Sequence, residues 1–258
     1  MNIKLAKKIS ITVAKKAGKF LMDNIDKTKD IRLKAKSDIV TNIDLEVEKI
    51  IITAIKKHFP NHKILSEEKG LLDSRSEYSW IIDPIDGSIN YLHRQSPFRV
   101  GLCLLKNSKP IMSTLYNPVK KELYYSEKGK GSTLNDKKIH VSENNIIENS
   151  VAMTHLSSRE SPRKRTIFQL NSIFENIMHM RMYGSGLASM SYVAHGRFNI
   201  FFNIVTYPWD ILPGVLLVEE AGGTVTDIQG NAINEKSTSV LATNGKVHQK
   251  MLKLLKNI

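Results

Sequence analysis

The segment Trp80-Ile-Ile-Asp-Pro-Ile-Asp-Gly-Ser88 most constrains what this chain can fold into. Trp80 to Ile82 is an apolar run that reads as a buried strand, and Pro84 and Gly87 force a turn directly after it. Asp83 and Asp86 are thereby carried to the end of an interior strand, where ionised carboxylates held together repel unless a positive charge lies between them. Two further carboxylates belong with them: Glu67, after the apolar run Ile64 to Ser66, and Asp210, in Pro208-Trp-Asp210. A hard cation is the usual remedy. No His or Cys stands at ligand spacing, so Mg2+ fits better than Zn2+ or an iron centre. Taken alone, Asp-Pro-Ile-Asp-Gly is equally an ordinary turn.

The 258 residues, 41% of them apolar, can bury a large core as one compact domain. Ile3, Ala6, Ile9, Val13, Ala17 and Phe20 recur every three or four positions, the stripe of an amphipathic first helix, and lysines interrupt any leader-like core there. No run of eighteen apolar residues exists, so no membrane span is expected. The single cysteine, Cys103, excludes an internal disulfide and reads as a buried strand residue of a cytoplasmic protein. The net charge of +13 comes from 29 lysines and nine arginines, scattered in the manner of a solvated surface rather than concentrated as a bidentate phosphate reader. One tight cluster, Arg159, Arg163, Lys164 and Arg165, faces solvent or docks a phosphate-rich partner.

A second helix is expected from an N-cap at Thr41 to about His58, with Pro60 beyond it and a Lys-rich connection before it. Strands follow at Ile64 to Ser66, Tyr78 to Asp83, Arg99 to Leu105, Ile111 to Tyr116 and Glu122 to Ser126, in an antiparallel meander. From about Asn149 strands alternate with helices: Val151 to Thr154, helix 162–177, Met178 to Tyr183, helix 186–195, Phe198 to Ile204 and helix 209–221. Thr224 to Asp227, Val240 to Ala242 and a last helix from Val247 complete the series. This predicts an α/β chain of two halves, about 1–145 and 146–258, joined without a flexible linker. Gly184-Ser-Gly186 lacks the third glycine and later acidic residue of a dinucleotide loop.

Lys36-Ser-Asp-Ile-Val-Thr-Asn-Ile-Asp44, Ser66-Glu-Glu68, Asp83 to His93, Gly184-Ser-Gly-Leu-Ala188 and Trp209-Asp210 to Glu220-Ala-Gly-Gly223 occur together in order. In that combination the chain resembles the inositol monophosphatase family, closest to its bacterial SuhB-type members, over nearly its whole length. The resemblance implies the layered α-β-α-β-α sandwich of the inositol monophosphatase and fructose-1,6-bisphosphatase type. It also implies Mg2+-dependent hydrolysis of inositol 1-phosphate or a related polyol or sugar phosphate, lithium sensitivity and a homodimer. Glu67, Asp83 and the Ile85 carbonyl would hold one Mg2+, and Asp83, Asp86 and Asp210 a second, with a weaker third near Glu67. Glu67 and Ser88, the latter positioned through Asp44, would orient the attacking water, and the N–H groups of Gly87 and Ser88 would grip phosphate. Asp86, Gly186, Leu187, Asn203 and Asp210 would contact the rest of the substrate. Relatives of this fold also hydrolyse 3'-phosphoadenosine 5'-phosphate, fructose 1,6-bisphosphate or histidinol phosphate, and SuhB-type proteins are associated with ribosomal RNA synthesis, which suggests an RNA or transcription-complex partner.

Each assignment has a plainer alternative. Asp44 could only support the first turn of its helix, and Asp210 could only cap the helix it precedes. Glu68 would be solvated or would act behind the ligands. Glu219, Glu220, His93 and His195 read as structural, Lys36 as a weak source of positive charge, and Gly222 and Gly223 as a helix stop. Three positions depart from the family pattern: Ser88 replaces the commoner Thr, Pro213 falls in the first turn of the Asp210 helix, and Asn203 stands where inositol phosphatases carry a Glu.

Overall fold

The computed structural model describes residues 1–27, 31–35, 38–156, 164, 167, 170–171 and 173–256. The first helix, α1 (Ile3–Asp23), is capped by the Asn2 side chain, which accepts from the Leu5 N–H at 3.1 Å. Its buried positions Ala6, Ser10, Val13, Ala14, Ala17 and Leu21 follow the stripe read from the sequence. Where a Lys-rich connection is expected, a hairpin forms instead, β1 (Ile31–Ala35) with β2 (Asp38–Thr41). The second helix, α2 (Asn42–His58), starts at the expected N-cap, Thr41.

The large sheet contains eight strands: β3 (Lys63–Ser66), β4 (Gly70–Leu72), β5 (Tyr78–Asp86), β6 (Arg99–Lys106), β7 (Lys109–Asn117), β8 (Glu122–Glu127), β9 (Gly131–Leu134) and β10 (Lys137–Ile139). Their order is β10-β9-β8-β7-β6-β5-β3-β4. From β5 onward every pairing is antiparallel, as the meander predicts. The first strand differs, because β3 lies parallel to β5 and folds back only through β4. β5 is buried along nearly its whole length, and Cys103 lies buried on β6. A one-turn helix, α3 (Ser88–Leu92), follows β5 directly; its five residues are too few to show a helical period.

The second sheet has the order β12-β11-β13-β15-β14, from β11 (Val151–Met153), β12 (His179–Arg181), β13 (Ile200–Asn203), β14 (Thr224–Thr226) and β15 (Val240–Thr243). β11 is parallel to both β12 and β13, while β15 is antiparallel to its neighbours. The helices here are α4 (Gly186–Ala194), α5 (Pro208–Glu220) and α6 (His248–Lys256), and residues 164, 167, 170–171 and 173–174 are also helical. Pro213 is therefore the sixth residue of α5, one turn deeper than expected, and its carbonyl accepts a short hydrogen bond from the Ser113 hydroxyl on β7.

Among the described residues four apolar clusters join five layers, the smallest of them Ile81, Cys103, Leu105 and Leu212; the other three set the layering. One lies between α1, α2 and one face of the large sheet; it includes Leu21, Ile51, Trp80 and Leu104. The next joins the other face to α4, α5 and the second sheet through Leu115, Leu187, Met190, Leu217 and Ala242. The third places α6 on the outer face of the second sheet through Phe202, Leu241 and Met251. This is the α-β-α-β-α sandwich that the resemblance implies. Glycines permit close approach of the helix layer to the large sheet and of its two helices to each other. A Cβ on Gly101, opposite Asp83 in the ladder, would lie 2.3 Å from Leu187 Cδ1, and one on Gly214 would lie 2.5 Å from Met190 Sδ.

Candidate active site

The pocket opens where β5 ends, a cavity of about 260 Å³ lined by Glu67, Asp86, Gly87, Ser88, His155 and Asp210 among others. The backbone turns there through Gly87, whose φ of 90° suits only glycine and whose added Cβ would meet the Pro97 carbonyl at 3.1 Å. Ser88 begins α3, and its hydroxyl lies 2.8 Å from the Ile85 carbonyl and 3.1 Å from Asp44 Oδ1, two acceptors that share its one proton. Asp44 meanwhile accepts from the Thr41 N–H and hydroxyl at 2.9 and 2.6 Å through its other oxygen. Asp44 thus closes the capping box of α2 and also reaches the Ser88 hydroxyl.

Asp83 lies at the centre, 1% exposed, and its Oδ1 has no hydrogen-bond partner among the described residues. Burial, followed by the charges of Glu67, Asp86, Asp210 and Asp44, raises its pKa well above the ordinary carboxylate value. Asp86 is tied differently. Its oxygens accept from the Ser185 hydroxyl and from the N–H groups of Gly186, Leu187 and Ala188, the last three at 2.8, 3.0 and 3.2 Å. It thus satisfies the first turn of α4 from about a hundred residues away. Burial raises its pKa, while the Ser185 bond and the Arg99 charge oppose that rise.

Asp210 does not precede its helix but stands third in it, with Oδ2 accepting from the Tyr207 N–H at 2.9 Å and the Thr206 hydroxyl at 3.2 Å. Glu67 lies just beyond β3, in a turn held from behind by the buried Glu48, whose Oε1 accepts from the N–H groups of Glu68 and Lys69 at 3.0 and 3.1 Å. Among the described residues no three His, Cys, Asp or Glu side chains are drawn together at full ligand spacing. The donor chemistry nevertheless fits a hard divalent cation: oxygen only, several carboxylates around one buried centre, and an orphaned buried oxygen on Asp83.

Of the residues expected along the substrate, the structure places Asp86, Gly186 and Asp210 on the pocket lining and Leu187 and Asn203 behind it. Leu187 is fully buried, packs where Gly101 makes room and offers the site only its N–H, which Asp86 takes. Asn203 is also buried and reaches His155, with its Nδ2 against the ring Nε2 at 2.5 Å. Gly186 does line the pocket. His93 is exposed rather than packed, whereas His195 ends α4 with its ring edge toward Tyr124. Glu220 ties the β8–β9 turn by accepting from the N–H groups of Gly129 and Gly131 at 2.8 Å each. Lys36, Arg159, Arg163 and Arg165 lie outside the described residues.

Sequence reasoning missed four participants. His155 lines the pocket, and burial lowers its pKa to about 4. Asn90 fastens the pocket rim by donating to the Pro97 and Tyr183 carbonyls at 2.7 and 2.6 Å. Ser185 bonds Asp86. Arg99, fully buried and paired with Asp86 in the ladder, lies over the rings of Tyr124 and Tyr192 at 5.4 and 5.1 Å. Asn90 and Ser185 lay inside the motifs quoted from the sequence and Arg99 left a signal as a cation heading an apolar strand, whereas His155 left none.

The fold and the pocket, with carboxylates at the end of a buried strand beside a glycine turn and a hydroxyl, define a layered α/β sandwich protein with an acidic cleft. The chain belongs to the inositol monophosphatase family, whose model matches residues 4–258. It is 33% identical over 255 residues to the fructose-1,6-bisphosphatase/inositol-1-monophosphatase of Thermotoga maritima, covering 96% of this chain and 95% of that one. It is 31% identical to Nus factor SuhB of Escherichia coli K12, covering 95% and 93% of the two chains. The crystal structure of the extragenic suppressor protein suhB from Bartonella henselae superposes with a TM-score of 0.93 at 29% identity, over 98% of each chain. No helix among the described residues is long and apolar enough to cross a membrane.

Proposed function

We propose that this phosphatase is a Mg2+-dependent phosphomonoesterase acting on inositol 1-phosphate or a related polyol or sugar phosphate. The observation that carries the reading is Asp83, buried among the charges of Glu67, Asp86, Asp210 and Asp44 with one oxygen unpartnered. Glu67, Asp83, the Ile85 carbonyl, Asp86 and Asp210 would hold two or three Mg2+ ions. When bound, these supply charge neutralisation to the phosphoryl group and acidify water. Gly87 and Ser88 bind phosphate through their backbone N–H groups. Ser88, steadied by Asp44, and Glu67 orient the attacking water and accept its hydrogen bonds.

The first test is phosphate release from inositol 1-phosphate, 3'-phosphoadenosine 5'-phosphate, fructose 1,6-bisphosphate and histidinol phosphate, with Mg2+ or chelator. Turnover that requires Mg2+, falls in millimolar lithium and is lost in Asp83→Asn is the expected result. Activity that survives chelation would sink the reading. A cytoplasmic homodimer is part of the proposal, and light scattering after gel filtration tests the dimer.

A second reading, contact with RNA or a transcription complex, is favoured by relatives named Nus factor SuhB. A gel shift that persists at roughly 150 mM salt and weakens on substitution of Arg159, Arg163, Lys164 and Arg165 by Ala supports it. Loss of binding at that salt marks nonspecific attraction.

A further inference from the structure

We propose that Glu48 is a positioning residue for the cation site, setting its affinity for a divalent ion through the turn that carries Glu67, an inference that rests on the phosphatase reading above. Only three residues, Glu67 to Lys69, join β3 to β4, because Ser66 pairs with Gly70 in the ladder. Glu67 lines the pocket from this turn. The N–H groups of the next two residues, Glu68 and Lys69, both donate to Glu48 Oε1, at 3.0 and 3.1 Å. Successive amides aimed one way form a concavity that takes an anion, and here α2 supplies the anion.

Glu48 is fully buried, on a stretch of α2 whose Val47, Ile51 and Ile55 enter the apolar core. Its Oε2 has no hydrogen-bond partner among the described residues, so within them the hold on the turn is the whole of its hydrogen bonding. A buried carboxylate with one oxygen idle costs stability, and an apolar side chain of similar volume would suit the core better. The group therefore serves the turn. Asp44 and Glu48 stand four residues apart, on one face of α2, and Asp44 Oδ1 lies 3.1 Å from the Ser88 hydroxyl. That face thus steadies both groups that orient the attacking water in the proposed reaction, Ser88 through Asp44 and Glu67 through Glu48. Without its anchor the Glu67 turn would have to be ordered by the cation itself, which weakens binding.

The test is calorimetric titration of the full chain with Mg2+ alone, in the wild type, Glu48→Leu, Glu48→Ala and Glu48→Gln, with urea unfolding in chelator alongside. Glu48→Leu should weaken Mg2+ binding about tenfold or more, as loss of a group that orients a metal ligand does, while stability in chelator is kept or rises. Glu48→Ala removes the same acceptor without filling its place, so whichever of the two folds decides the question. Glu48→Gln keeps an acceptor for the two amides and should bind Mg2+ within about threefold of the wild type. In a Glu67→Ala background, Glu48→Leu should have no further effect, since its influence passes through Glu67. Unchanged affinity in a folded Glu48→Leu or Glu48→Ala overturns the proposal. An equal loss in Glu48→Gln also overturns it, because charge rather than the turn would then set the affinity, as does an undiminished effect in the Glu67→Ala background. Wild-type protein that takes up no Mg2+ is a different result and removes the cation reading of the site itself.

Discussion

Ser88 shows how much one hydroxyl can carry. It links the Ile85 carbonyl to Asp44 and opens α3 at the mouth of the pocket. Ser88→Ala should lower kcat by about 10² or more, in line with the loss of a group that positions a proton transfer, with little change in KM. Ser88→Thr should keep or raise kcat, because the added methyl restricts χ1. Steady-state kinetics on the best substrate distinguish these outcomes. The carboxylates were legible because each sits beside its own local signal: Glu67 after Ile64 to Ser66, Asp83 after Trp80 to Ile82, Asp86 before Gly87, and Asp210 after Trp209. His155 was not legible, since its place at the pocket depends on β11 lying beside β13, a pairing across 48 residues for which the sequence holds no local cue.

The elements explain why Asp86 and Asp210 serve more than one end. Each carboxylate satisfies the N–H groups of a helix start, α4 and α5 respectively, so the site is assembled from helix termini. Removing the Ser185 hydroxyl takes one donor from Asp86 and the side-chain cap from the Ala188 N–H. Ser185→Ala should cost about 1 kcal/mol in urea unfolding with the m-value unchanged. Gly101→Ala should cost about 1–3 kcal/mol by forcing Leu187 and α4 away from the strand that bears Asp83, and it should also depress turnover.

The last helix provides a pH test away from the site. His248 on α6 is bonded through both ring nitrogens to Thr226 and Thr243, and burial lowers its pKa to about 4. Its folded value lies below its unfolded value of about 6.5. Its contribution is therefore complete well above pH 6.5 and is lost as pH falls toward 4, about 3 kcal/mol over that interval. His248→Gln should flatten this part of the stability profile. At this scale the periodic helices and apolar strands were readable. The β1–β2 hairpin was not, because its lysines resemble a linker, nor was the parallel seating of β3, which β4 and the sheet edge decide.

Across the whole molecule, the α4–α5 layer is shared by both sheets, so neither sheet keeps its inner face covered if the other is lost. We expect one cooperative unfolding transition, with calorimetric and van't Hoff enthalpies in agreement, rather than separate melting of the halves 1–145 and 146–258. On the proposed reading divalent cation binds only the folded cluster, so it should raise the transition temperature relative to chelator; at 100 times Kd the gain is about 2.7 kcal/mol. Without it, the raised pKa of Asp83 gives stability that is present at acid pH and is lost as pH rises through the folded value. The chelated protein should therefore lose more stability than the cation-bound form as pH rises from the acid range.

The bond between Asp86 and the start of α4 carries one more consequence. Its two ends are separated by 99 to 102 residues and were synthesised at different times. A nascent chain that has emerged only through the large sheet holds Asp83 and Asp86 without their later partners, so truncated translation products should be catalytically silent, and hydrolysis should appear only when the chain is complete.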